Sequence, residues 1–131
     1  MASKKPKKHY RLQWLVESIA EEPSYLERRM FGCLAVYLHG RMVLLMAEGE
    51  EPWNGLLIPT EHEHHKSIRR EFKSVVQHSV LKKWLYLPED TEEFESVAPE
   101  IVHCIEIDDP RFGVEPREKK PRIKGRITPK D

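Results

Sequence analysis

The chain has 131 residues, of which 39% are hydrophobic and 34% charged, with a formal net charge of zero. That length suits one domain with a real core, and the high charged share suits a folded centre with solvated ends. No apolar run approaches the roughly 18 residues of a membrane helix, and two cysteines, Cys33 and Cys104, are too few for a disulfide scaffold and match no zinc spacing.

The zero net charge hides a division. Residues 1–9 carry Lys4, Lys5, Lys7 and Lys8, a net +4. Residues 111–131 carry eight basic residues against three acidic ones, a net +5, which leaves −9 on residues 10–110. The sequence therefore reads as a disordered basic leader (1–9), an α+β domain (10–110) and a disordered basic tail (111–131). The leader has no apolar stretch behind it, so a signal peptide is not expected and the protein is placed in the cytoplasm.

Within the domain, Leu12, Leu15, Val16 and Ile19 have helical spacing and predict an amphipathic helix over residues 10–22, stopped by Pro23. Ser24 is read as the cap of one further turn over residues 25–29. The longest apolar stretch, Met30 to Ala47, is split by His39-Gly40 and predicts a β-hairpin with Gly40 at a positive-φ turn position. Every position of its first strand is apolar, so cover on both faces is expected. The acidic run Glu48 to Pro52 is a surface loop, Trp53-Asn54-Gly55 a turn, and Leu56-Leu57-Ile58 a third strand ended by Pro59. Thr60 with Glu63 has capping-box spacing and predicts a helix reaching Ser74. Strands follow at residues 74–80 and 83–87, the latter with Trp84 and Tyr86 on one face. Phe94, Val97, Ile101, Val102, Cys104 and Ile105 then mark a last helix containing Pro99. The order α-β-β-β-α-β-β-α predicts an antiparallel sheet of about five strands with helices packed on it.

Few residues suggest chemistry. His62, His64 and His65 in Glu61-His62-Glu63-His64-His65 are candidate metal ligands on a helix, but the spacing is not His-Glu-x-x-His and no third ligand is visible. No serine lies in a nucleophile elbow, and no glycine-rich loop could cradle phosphate. Cys33 and His39 stand at opposite ends of one strand, about 20 Å apart, and cannot act as a pair. Glu89 to Glu95 place carboxylates at a helix start, where negative charge is favoured. No catalytic residue, metal or cofactor is assigned. Lys4, Lys5, Lys7, Lys8, Lys119, Lys120, Arg122, Lys124 and Arg126 are the candidate nucleic-acid contacts, acting on phosphates through the two tails.

The residues also carry a family resemblance. Arg29-Met30-Phe31-Gly32 leads into Ala35-Val36-Tyr37-Leu38, with Gly40 at the turn and a strand from Met42 to Met46. Leu56-Leu57-Ile58 and the stretch Trp84 to Asp90 follow. In these features residues 12–108 resemble the N-terminal domain of the TfoX (Sxy) family. Cys33 stands where that family usually has a second glycine, and Pro59 where it commonly has a lysine. The resemblance implies an α+β fold and a regulatory role connected with competence genes, and it carries no catalytic residue. The charged tail leads us to expect a stand-alone domain. Together these readings predict a non-enzymatic domain acting through a protein partner, with a homodimer formed through an exposed sheet edge as one form of that association. Nucleic-acid binding through the tails and a metal-dependent enzyme using His62, His64 and His65 are the alternatives.

Overall fold

Two dipeptides, Phe31-Gly32 and His39-Gly40, set the strand pairing. In the computed structural model, which describes residues 11–115, their φ angles are 57°, 74°, 55° and 79°. Positive φ at both central residues is the type I′ condition, whose twist matches that of two paired strands. The turns join β1 (Leu26–Met30), β2 (Cys33–Leu38) and β3 (Arg41–Glu48) into a meander. The hairpin around His39-Gly40 is the one the sequence predicts. The hairpin around Phe31-Gly32 corrects the helical turn expected over residues 25–29. Leu26 to Met30 instead pair with Tyr37 to Cys33 as an edge strand. Charged Glu27, Arg28 and Arg29 suit an edge, because they discourage further pairing.

β4 (Asn54–Ile58) adds to β3, and β6 (Leu85–Pro88) lies between β4 and the two-residue β5 (Val76–Gln77). The order β1-β2-β3-β4-β6-β5 is antiparallel throughout. The fold is thus α+β with six strands rather than five, the additional one being β1. Gly55 lies inside β4, not in a turn. Its φ is 138°, and a Cβ there would meet the Leu87 carbonyl oxygen at 2.2 Å. Only a residue without a side chain lets β4 and β6 approach so closely.

β3 contains a bulge. Val36 pairs with Leu44 and Tyr37 with Met42, so Val43 is the extra residue. Val43 and Leu44 consequently both face the same side of the sheet. On that side lie a 3-10 helix (Arg11–Val16), α1 (His65–Glu71) and α2 (Phe94–Glu106). They bury Leu12, Leu15, Ile68, Phe94, Ile101 and Ile105 against Leu34, Val36, Leu44, Met46, Leu56 and Leu87. The opposite side buries Cys33, Ala35, Tyr37, Met42, Leu45, Ala47, Leu57 and Tyr86, and none of the described helices contributes to it. Both faces of the β2–β3 hairpin are therefore covered, as its apolar strands require.

Four further expectations change. The first apolar stripe forms a 3-10 helix followed by turns, not a helix to Glu22, and its ends carry no acidic residue in the first turn or basic residue in the last. Thr60 caps nothing; it is 1% exposed and its hydroxyl donates to the Arg111 carbonyl at 2.5 Å. The next helix begins instead with a 3-10 turn (His62–His64) and ends at Glu71. The strand expected over residues 74–80 shrinks to β5, because the His78 side chain takes up the amides that follow. Finally, residues 111–115 are not part of a free tail. Phe112 is 1% exposed within the helix-side core, and Val114 pairs with Met42 across the sheet end. The Gly113 amide donates to the Pro59 carbonyl at 2.8 Å, and the Arg41 guanidinium to the Gly113 carbonyl at 2.7 Å. Residues 116–131 of the expected tail and residues 1–9 of the expected leader lie outside the described residues.

Candidate functional site

The side of the sheet without helices is closed by rings and loops. The Phe31-Gly32 turn carries the Phe31 ring toward the residues that precede β4 and β6, its centroid 6.2 Å from that of Trp53 and 6.3 Å from that of Trp84. Trp53 ends the acidic loop, and Trp84 ends the loop between β5 and β6. Phe31 is 55% exposed and adopts a left-handed backbone conformation. A bulky side chain pays roughly 1–2 kcal/mol there, which Asn or Gly would largely avoid. An exposed aromatic at a position that disfavours it is the most informative residue of this face.

His78 ties the two loops together. It is 0% exposed, and its Nδ1 accepts from the Val80 and Leu81 amides at 3.1 and 2.8 Å. With two amide donors on Nδ1, the proton must sit on Nε2, which donates to the Pro52 carbonyl at 2.9 Å. The ring also packs edge-on against Trp53 at 4.7 Å and Tyr86 at 5.3 Å. Burial holds the imidazole pKa below its ordinary value, against the raising effect of the Pro52 carbonyl. The neutral ring is a structural clamp on the residues that carry Trp53 and Trp84. Tyr86 is likewise held: its hydroxyl bonds Asn54, and burial together with Glu51 pushes its pKa up to about 12.

Beside this cluster lies a cavity of about 390 Å³. Phe31 and Trp84 form its aromatic wall, Met42 and Val114 its apolar base, and Lys82, Lys83, Glu61 and Glu115 its charged lining. Elsewhere on the same face the Arg28 guanidinium lies 5.8 Å from the centre of the Tyr37 ring.

The histidines proposed from sequence do not converge. The His62 and His65 rings lie 4.8 Å apart, tilted by 44°, but the His65 Nε2 is bonded to the Lys83 carbonyl at 2.8 Å and the His64 Nε2 lies 3.5 Å from its neighbour Glu63. Among the described residues, no group of three or more His, Cys, Asp or Glu side chains is placed to hold a metal ion. Cys33 and Cys104 are free, buried and in the clusters on opposite sides of the sheet. Burial pushes both thiols up, away from the reactive thiolate. Lys4, Lys5, Lys7, Lys8, Lys119, Lys120, Arg122, Lys124 and Arg126 lie outside the described residues. Arg28, lying over Tyr37, and Lys82 and Lys83, lying along the cavity, are exposed cations on the side without helices. The sequence places Phe31 only in the resemblance segment and Trp53 only in a turn, and it marks no role for His78. The signal for Phe31 was a large aromatic beside glycine between two strands; His78 offered none.

Comparison of the chain with protein-family models, with curated proteins and with solved structures found no match. None of the described helices is long and apolar enough to cross a membrane.

Proposed function

We propose that this chain is a non-enzymatic binding domain that acts by protein association, with its contact surface on the side of the sheet that carries Phe31. The observation behind this reading is the exposed Phe31 ring, supported by Trp53 and Trp84. Aromatic anchors of this kind supply much of the energy of protein interfaces. The residues best suited to chemistry are committed elsewhere: His78 to three backbone groups, both thiols to the core. The resemblance of Arg29-Met30-Phe31-Gly32 and its hairpin to the TfoX N-terminal domain supports a regulatory role of the competence or transcription kind. Two free cysteines fit a reducing, cytoplasmic setting.

A photo-reactive phenylalanine analogue at position 31, with a second chain carrying it at exposed Val80, tests the reading in cells of the source organism. One discrete protein adduct at position 31, absent from position 80, is the expected result. Adducts alike at the two positions, or turnover of a small molecule by the pure protein, would overturn it.

A further inference from the structure

We infer that the cavity beside Phe31 and Trp84 binds a free aromatic amino acid in its zwitterionic form. This goes beyond protein association and does not depend on it. The cavity, about 390 Å³, falls within the usual size of small-ligand sites, which are mostly apolar with a few placed polar groups. The Phe31 and Trp84 rings meet edge to face at 73°, so a third ring entering the cavity finds one face and one edge to pack on. Met42 and Val114, joined by backbone bonds of 2.9 and 3.0 Å, give it a fixed apolar base.

The charges select the rest of the ligand. Lys82 and Lys83 belong to the loop before β6, Glu61 follows β4, and Glu115 ends the segment that pairs with β3. Among the described residues none of these four side chains enters an ion pair, although all line one cavity. An aromatic anion would leave the two carboxylates facing it, and an aromatic cation would meet the two ammonium groups. A purely apolar ligand would use neither. An α-amino acid brings a carboxylate for the lysines and an ammonium for the glutamates, and its side-chain ring fills the aromatic wall. The same ligand accounts for a phenylalanine kept exposed at a turn position that disfavours it.

Isothermal titration of the full chain with L-tryptophan and L-phenylalanine tests this, with N-acetyl-L-tryptophan, L-tryptophan amide and L-leucine as comparisons. Saturable binding of both aromatic amino acids is expected, weakened roughly fivefold or more by blocking either charged group or by removing the ring. Phe31→Asn, which suits the turn, and the surface pair Lys82→Glu with Lys83→Glu should each weaken binding while circular dichroism stays unchanged. No saturable heat up to about 10 mM would overturn the proposal. So would equal binding of the free and blocked forms, or undiminished binding by both variants.

Discussion

His78 shows how one buried side chain can set the pH range of a fold. Both ring nitrogens are used in the neutral form, so a second proton would break the bonds to Val80 and Leu81. The folded protein therefore takes up that proton less readily than the unfolded chain, whose imidazole titrates near 6.5. The His78 contribution is complete above that value and declines as pH falls below it toward the depressed folded value. Urea unfolding should thus give a lower midpoint at about pH 5.5 than at about pH 7.5. His78→Ala should flatten that difference and lower stability at neutral pH by about 3 kcal/mol, since it strands backbone groups of both loops. Phe31→Asn behaves differently. It removes two aromatic contacts but relieves the left-handed backbone, so unfolding should place it within about 1 kcal/mol of the parent.

At the level of elements, the junction of β4 and β6 tolerates the least change. Gly55→Ala would drive a methyl into the Leu87 carbonyl and the Glu89 amide, 2.2 and 2.6 Å away. Both are backbone atoms, so relief requires separating two strands. A loss of about 3 kcal/mol or more in chemical denaturation is expected; a loss under about 1 kcal/mol would show that β6 slides easily. The segment after α2 is held by a different chemistry. The Arg111 guanidinium bonds Asp109 at 2.9 Å, Glu71 at 2.8 Å and the Ser67 hydroxyl at 3.0 Å. The hydrogen bond from Arg111 holds the Asp109 carboxyl below its ordinary 3.8. That contribution is present above 3.8 and is lost as pH falls through the folded value, so acid should release this segment. Arg111→Ala should raise hydrogen exchange at the Gly113 and Val114 amides more than at β2.

For the molecule as a whole, the boundary of the domain moves from residue 110 to at least 115. A chain ended at Pro110 lacks Phe112 and should be less stable than one ended at Glu115 by about 3–5 kcal/mol, as for other buried phenylalanines. Equal thermal midpoints would mean that the segment adds nothing. How much was legible in the sequence follows from the range of each interaction. The β2–β3 hairpin was legible because its apolar run and its turn are adjacent in the chain. β1 was not, because Leu26-Glu27-Arg28-Arg29-Met30 has no alternation and favours helix by composition. Only its pairing partner makes it a strand. Thr60 matched a capping box, yet its hydroxyl answers to Arg111, 51 residues away. Val43 breaks the period of two, so the facing of β3 could not be read through the bulge. The aromatic face escaped for the same reason: Phe31, Trp53 and Trp84 meet only after the sheet has formed.

The order of strands also bears on how the chain reaches its fold. β1, β2, β3 and β4 are neighbours in the sheet in the same order as in sequence, joined by two turns of two residues and one short loop. Such contacts close small loops and lose little chain entropy on forming. β6 must instead cross 26 intervening residues to reach β4, and Val114 comes from farther still to meet Met42. The meander is therefore expected as the folding nucleus, with β6 and then the 111–115 segment added to a sheet that already exists. Conservative truncations such as Val36→Ala and Leu44→Ala should slow folding, whereas Phe112→Leu should chiefly speed unfolding.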